Sequence, residues 1–200
     1  ENNICIAVAG THGKTTTSSL IAHILKDSDE GCNAFLGGIA TNYNTNYLEN
    51  KHSENVVVEA DEFDRSFLKL SPNISLITST DADHLDIYGG AESMLESFNE
   101  FAKLTTDTLI FKKGLEINSA GKTYSITDSD ADYFAANISI ENHQYQFDLK
   151  VNGEFICKIK TGLPGRHNVE NALGTIAITL EMGLEINLIK EKVTSFSGVK

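Results

Sequence analysis

No apolar run in the 200-residue chain approaches the ~20 residues that a membrane-crossing helix needs, and no charged-then-apolar leader opens it. The expectation is a protein of the cytoplasm with no membrane partner. Cysteine is scarce: Cys5, Cys32 and Cys157 are odd in number and lack metal-like spacing, so a disulfide framework is excluded and reduced packing thiols are expected. Bases are few as well. Sixteen Lys and Arg face 28 Asp and Glu, a formal net charge of -12, which argues against nucleic acid or an anionic membrane surface as partner. Internal repeats and low-complexity segments are absent. The chain opens Glu1-Asn2-Asn3, without methionine, and stops at Gly198-Val199-Lys200 just after a helical pattern, so it is expected to be a piece of something longer.

What is present is concentrated near the start. The run Ile4-Cys5-Ile6-Ala7-Val8-Ala9 is apolar and rich in β-branched residues, and it enters the turn Gly10-Thr11-His12-Gly13 before Lys14-Thr15-Thr16-Thr17 begins a helical pattern. A tight passage from strand to helix N-terminus makes an anion seat, because first-turn N–H groups have no partner inside the helix and the dipole favours negative charge. Gly10 and Gly13 let the backbone wrap a phosphate closely, Lys14 reaches terminal phosphates, and the Thr15 hydroxyl can ligate magnesium. The usual pattern carries a further glycine five positions before Gly13; here that position is Val8, so the loop is a shortened variant.

Apolar positions 20, 21, 24 and 25 continue the helix. Asn33 to Leu36 reads as a short strand ending at Gly37-Gly38, followed by an aperiodic polar stretch over 41–55. Val56-Val57-Val58-Glu59 and Ile74 to Ser79 read as buried parallel strands that end in polar groups. A helix over 91–104 and a strand over 108–111 follow. From about residue 122 the texture becomes strands alone, with a hairpin signal at Asn152-Gly153. Gly162 to Gly165 then breaks the chain before a helix over about 168–182, and Asn187 is placed to cap a last helix. The fold class is α/β: a P-loop-type, mostly parallel sheet flanked by helices over about 1–121 and 162–200, with a small antiparallel β subdomain over about 122–161.

Ligands of open α/β sheets bind outside the carboxyl ends of the strands. Glu59, at such an end, stands where nucleotide-hydrolysing P-loop proteins place an acid that holds magnesium; the plainer reading is one surface acid among several. Asp61, Glu62 and Asp64 are weaker candidates, either supporting the site or solvated. His84, among Asp81, Asp83 and Asp86, fits either a metal ligand or a loop histidine bonded to its neighbours. His23, His52 and His143 read as structural or exposed. In the late helix, His167 and Asn171 fall opposite the apolar stripe of Val169, Leu173, Ile176 and Leu180. An asparagine amide can pair with adenine and an imidazole can stack on it; capping by Asn168 with solvent-facing neighbours is the alternative.

Together, Gly10-Thr11-His12-Gly13-Lys14-Thr15, Glu59-Ala60-Asp61-Glu62, Asp83-His84-Leu85-Asp86 and Pro164-Gly165-Arg166-His167-Asn168-Val169-Glu170-Asn171 resemble, in order and spacing, the central domain of the Mur ligases over nearly the whole chain. The resemblance implies ATP and Mg2+ as cofactors. It also implies flanking domains outside this chain, one for a UDP-sugar and one for an amino acid. Gly10, Thr11, His12, Gly13, Lys14, Thr15 and Thr16 would bind phosphates, His167 and Asn171 the adenine, and Thr15, Glu59 and His84 the metal. Lys14, Glu59 and His84 would be the catalytic groups. His12 and the acidic run around His84 favour the branch that joins L-alanine to UDP-N-acetylmuramate through an acyl phosphate, with the peptide-recycling branch next. His12, Gly37, Gly38 and Arg166 are candidates, by position, for contact with the muramoyl group. Several members carry a modified lysine fourteen or fifteen positions after the histidine, where this chain has Phe98 and Asn99; either the branch does without it or Lys103 substitutes. Outside this branch stand folylpolyglutamate synthase and, in another class, a P-loop ATPase or GTPase switch. Without its flanking domains the piece itself is expected to bind nucleotide and catalyse nothing.

Overall fold

The computed structural model describes residues 3–81, 88 and 90–200. The first apolar run forms β1 (Ile4–Ala9). Successive side chains of a strand point to opposite faces, and both faces of β1 are covered: Ile6 and Val8 enter one core, Ala7 and Ala9 the other. That two-sided burial is why the run is continuously apolar rather than alternating.

After β1 come α1 (Lys14–Lys26), β2 (Asn33–Ala40), β3 (Thr45–Leu48), β4 (Asn55–Ala60) and β5 (Ile74–Ile77). Then follow α2 (Ala91–Leu104), β6 (Thr108–Lys112), β7 (Lys122–Ser125), β8 (Tyr133–Glu141), β9 (Gln144–Val151) and β10 (Glu154–Lys160). The described chain closes with α3 (Arg166–Glu181) and α4 (Ile186–Ser195). Among the described residues one sheet runs in the order β10-β9-β8-β7-β6-β5-β1-β4-β2-β3. It is parallel from β2 through β8, with antiparallel pairs at both ends, β2 with β3 and β8 with β9 with β10.

Two layers of helix cover the sheet. Leu20, Ile21 and Ile24 of α1 share one core with Val169, Leu173 and Ile176 of α3 and with Ile189 of α4. On the other face, Met94, Phe98 and Phe101 of α2 pack with Phe67, whose ring stacks on Phe101 at 5.1 Å and meets Phe98 edge-on at 5.5 Å. Phe98 and Asn99, where a modified lysine would stand, are therefore spent on packing and on a loop: Asn99 Nδ2 donates to Glu116 O at 3.0 Å and its Oδ1 accepts from Asn118 N.

Four elements differ from the sequence expectation. The strand expected to stop at Leu36 continues through Gly37-Gly38 to Ala40, and the end of the chain runs beside it: Ile39 N donates to Lys200 O at 3.1 Å and Lys200 N to Ile39 O at 2.9 Å. The polar stretch contains β3, which shows one inward residue, Leu48, and so leaves almost no hydrophobic period. The strands from residue 122 extend the main sheet, and β7 pairs parallel to β6, so the antiparallel region begins only at the β8 to β9 turn. Glu185, not Asn187, precedes the last helix, and no side chain caps it. The Asn152-Gly153 hairpin is as expected, with φ of 50° and 82° suiting a two-residue turn that needs both residues left-handed.

The chain end is tied to α1 through His23, which is buried; its Nδ1 lies 2.5 Å from the Tyr43 hydroxyl and its Nε2 3.1 Å from Ser195 Oγ. Burial, reinforced by the Lys192 ammonium, pushes the His23 pKa below its ordinary value. His52 and His143 are exposed. The cysteines are free, and burial pushes the Cys32 thiol up to about 12, as expected of a packing thiol. No helix among the described residues is long and apolar enough to cross a membrane.

Candidate functional site

β1 delivers the chain into a four-residue turn, and α1 starts at Lys14. Gly13 immediately precedes the helix at φ 85°, and a Cβ there would stand 2.5 Å from Asn171 Oδ1. A side chain is excluded twice, by conformation and by space. The same glycine lets α3 press its asparagine against the loop. The end of β5 braces the turn from the other side: Thr78 Oγ1 donates to His12 O at 2.6 Å, and Ser79 Oγ accepts from His12 N at 2.9 Å and pairs with Thr11 Oγ1 at 2.9 Å. The N–H groups of Lys14, Thr15 and Thr16 stand in the first turn, where the helix itself offers no acceptor.

Beside the loop, the Thr15 hydroxyl donates to Glu59 Oε1 at 2.9 Å, and the other oxygen, Oε2, accepts from Gly37 N at 3.0 Å. A Cβ on Gly37 would sit 2.4 Å from Glu59 Oε2, so the bare glycine is what lets the carboxylate lie against β2 and face Thr15. Two hard oxygen donors are thus juxtaposed beside the loop, a donor set that suits magnesium. Gly38 lies next to Thr15, whose methyl would be 3.2 Å from an added Cβ. His84, with Asp83 and Asp86, lies outside the described residues, as does any cluster it takes part in.

Lys14 points at Glu62. Its ammonium donates to Glu62 Oε1 at 2.9 Å, to Glu62 Oε2 at 2.8 Å and to Gly10 O at 2.8 Å. The Glu62 side chain is 1% exposed and that of Lys14 14%. The sequence leaves Asp61, Glu62 and Asp64 alike as acids that either support the site or are solvated; Asp61 and Asp64 are exposed and Glu62 is buried. Nothing in the linear run of acids marks which one turns inward; that is decided by the turn after β4, where Arg65 N bonds Glu62 O and Tyr88 donates its hydroxyl to the same carbonyl.

On the far side of the loop, toward α3, opens a cavity of 640 Å³. His12, Gly13 and Thr16 form its loop wall, and His167 and Asn171 its helix wall, so the two sets of residues singled out at opposite ends of the sequence share one space. Its size is that of a site for a drug-sized or nucleotide-sized ligand, about 300–1,000 Å³. Lys112 of β6, bonded to Glu170 of α3 at 2.9 Å, and the buried Tyr124 complete the inner side, and Ser197 to Val199 the outer. None of these was legible as a site residue; Tyr124 reads as core, and its hydroxyl pKa is pushed up by burial. Asn168 does not cap the helix: its Nδ2 donates back to Pro164 O. His12 reaches toward Asp81 at 3.8 Å with both side chains exposed, a weak contact. Arg166 is exposed and does not line the cavity.

The family model for the Mur ligase middle domain matches residues 8–179. UDP-N-acetylmuramate–L-alanine ligase of Christiangramia forsetii is 48% identical over 202 residues, which cover 100% of this chain and 44% of that protein. The enzyme of the same name from Phocaeicola vulgatus is 48% identical over 200 residues, 97% of this chain and 44% of that one. Among solved structures, UDP-N-acetylmuramate-alanine ligase MurC of Thermotoga maritima superposes with a TM-score of 0.86 at 30% identity, covering 98% of this chain and 46% of that chain. The chain thus spans about half the length of the relatives it matches. Sequence, fold and the geometry around the short phosphate loop agree, and the chain belongs to the Mur ligase family as a middle domain.

Proposed function

We propose that this chain is the ATP- and magnesium-binding part of a cytoplasmic ligase that joins L-alanine to the carboxylate of UDP-N-acetylmuramate in peptidoglycan precursor synthesis. The observation that carries it is the arrangement around one loop: Lys14 and the Thr15–Glu59 pair on one side, the cavity of His167 and Asn171 on the other. A nucleoside triphosphate laid across Gly13 would have its base in the cavity and its terminal phosphates at the acids. The relatives' names supply the substrates, and flanking domains outside this chain would bring the UDP-sugar and the amino acid.

In this reading the first-turn amides and Lys14 hold the phosphates, and Thr15 with Glu59 holds magnesium, which supplies neutralisation of the transferring phosphoryl group. His84 is assigned to the same metal region on sequence alone. Asn171 and His167 orient the base, and the loop, fixed by Thr78 and Ser79, keeps the phosphates in register. The muramoyl carboxylate attacks the γ-phosphate, giving an acyl phosphate and ADP. The alanine amine then attacks the acyl carbon through a tetrahedral intermediate, and phosphate leaves. Catalysis by these residues is positioning plus electrostatics. His12, Gly37, Gly38 and Arg166 are the residues proposed to meet the muramoyl group.

The test uses the full-length protein. ADP and phosphate should form only when UDP-N-acetylmuramate and free L-alanine are both supplied. Steady ATP turnover without an acceptor would point to a P-loop switch, and preference for a preformed tripeptide over L-alanine would point to the recycling branch. Lys14→Ala should abolish the coupled reaction.

A further inference from the structure

We infer that Glu62 is a positioning residue that holds the Lys14 ammonium beside the loop and offsets the charge with which the lysine meets the nucleotide's phosphates. This rests on the reading of the loop as an ATP site given above.

An ammonium has three N–H donors. The Lys14 ammonium lies 2.8 to 2.9 Å from Gly10 O and from both oxygens of the Glu62 carboxylate, which are close enough together to share one of its N–H groups. A phosphate that approaches Lys14 competes with these two acceptors for the ammonium. The two choices are unequal. Glu62 is 1% exposed, and releasing it leaves a buried carboxylate without its counter-charge, which is costly. Gly10 O is a neutral carbonyl, and giving it up is the smaller loss. Nucleotide binding thus exchanges Gly10 O for a phosphate oxygen while Glu62 stays attached, and the lysine meets the phosphates with its charge largely offset.

The backbone around Glu62 is built to keep the carboxylate there. Its carbonyl accepts both the Arg65 N–H, at 3.0 Å, and the Tyr88 hydroxyl. Neither carboxylate oxygen is shared with Thr15 or Glu59, which bond each other instead. Two acids three positions apart are thereby divided between two tasks, Glu59 facing the metal side of the loop and Glu62 holding the lysine.

The neutral isostere Glu62→Gln keeps an acceptor for Lys14 and removes the negative charge. Calorimetry of the full-length protein with ATP and magnesium should give binding at least about tenfold tighter for E62Q than for wild type, because the Lys14 charge is then no longer offset by a carboxylate in contact with it. Lys14→Gln should bind more weakly than wild type. With the lysine gone Glu62 has no ammonium charge to offset, so the gain from E62Q should be absent in that background and K14Q/E62Q should match K14Q within about twofold. A protein in which Glu62 merely supports the fold would not show that dependence on Lys14. Thermal unfolding by circular dichroism identifies a misfolded variant, and Glu62→Asp, too short to keep both bonds, should shift affinity in the same direction as E62Q.

Equal or weaker binding by folded E62Q overturns the inference, as does an equal gain in the K14Q background. Failure of wild type and of every folded variant to bind Mg·ATP overturns the ATP-site reading and this inference with it. Binding by wild type with no gain in E62Q overturns this inference alone.

Discussion

Gly37→Ala is the sharpest probe of the proposed metal pair, Thr15 and Glu59, because the structure isolates its effect. Gly37 is exposed and does not have the left-handed φ that would penalise alanine, so the strand can accept the substitution; relief of unfolded-state entropy favours it by about 0.4–1 kcal/mol. The added Cβ would stand 2.4 Å from Glu59 Oε2 and 2.8 Å from its Cδ, well inside contact distance. The carboxylate must swing away. It then loses the Gly37 N–H at 3.0 Å and its alignment with the Thr15 hydroxyl at 2.9 Å. Removing the groups that orient a metal-binding carboxylate typically weakens metal affinity about 10–100-fold, and the same loss is expected in the magnesium concentration needed to support ATP binding. Calorimetric titration of ATP at a series of magnesium concentrations measures it, with a thermal melt to show the fold intact. An unchanged magnesium requirement in folded Gly37→Ala would refute the assignment of Glu59 and Thr15 as the metal pair.

Asn171→Ala should weaken ATP binding by about tenfold, the loss of a base-directed hydrogen-bonding pair, yet leave inorganic triphosphate binding unchanged; equal losses for both ligands would place Asn171 on the phosphates. His23 has a folded pKa below the ordinary value of 6.5, so the unfolded chain binds the extra proton first and stability falls as pH drops from about 6.5 toward the folded value. The Asp27 and Asp132 carboxyls, lowered from 3.8, lose their contribution only below that pH, so the windows separate. Melting temperature from pH 7.5 to 5 should fall in wild type and fall less in His23→Gln. Phe98→Ala, emptying a fully buried site between Phe67 and α2's own stripe, should cost about 3–5 kcal/mol in chemical denaturation. Because Phe98 lies on the sheet face opposite α1 and α3, ATP affinity measured well below the melting point should not change.

The parts of this molecule that were legible in the sequence are those whose physics is local. A β-branched run, two glycines and a lysine before a helix define the strand–turn–helix within fourteen residues, Ile4 to Thr17, because strand, turn and first-turn amides are all sequence neighbours. Glu59 was legible because three valines place it at a strand end. His167 and Asn171 were legible as a face of a helix, and only the fold shows that this face meets Gly13. Glu62 was not legible as a buried residue, since adjacent acids look alike until a turn selects one. The pairing of β7 was misread for a physical reason. Parallel neighbours ordinarily need a crossover of a dozen or more residues, and here residues 113–121 return the chain to the same edge without a helix. The seam formed by Ile39 and Lys200 joins residues far apart in the sequence, which no local pattern announces.

The measurement that bears most directly on the central claim is a structure of this chain with magnesium and a non-hydrolysable ATP analogue. The adenine is expected in the cavity between His12 and Asn171, the phosphates on the amides of Gly13 to Thr16, and the metal against Thr15 Oγ1 and Glu59. A base bound elsewhere, or a metal seated away from Thr15 and Glu59, would contradict it.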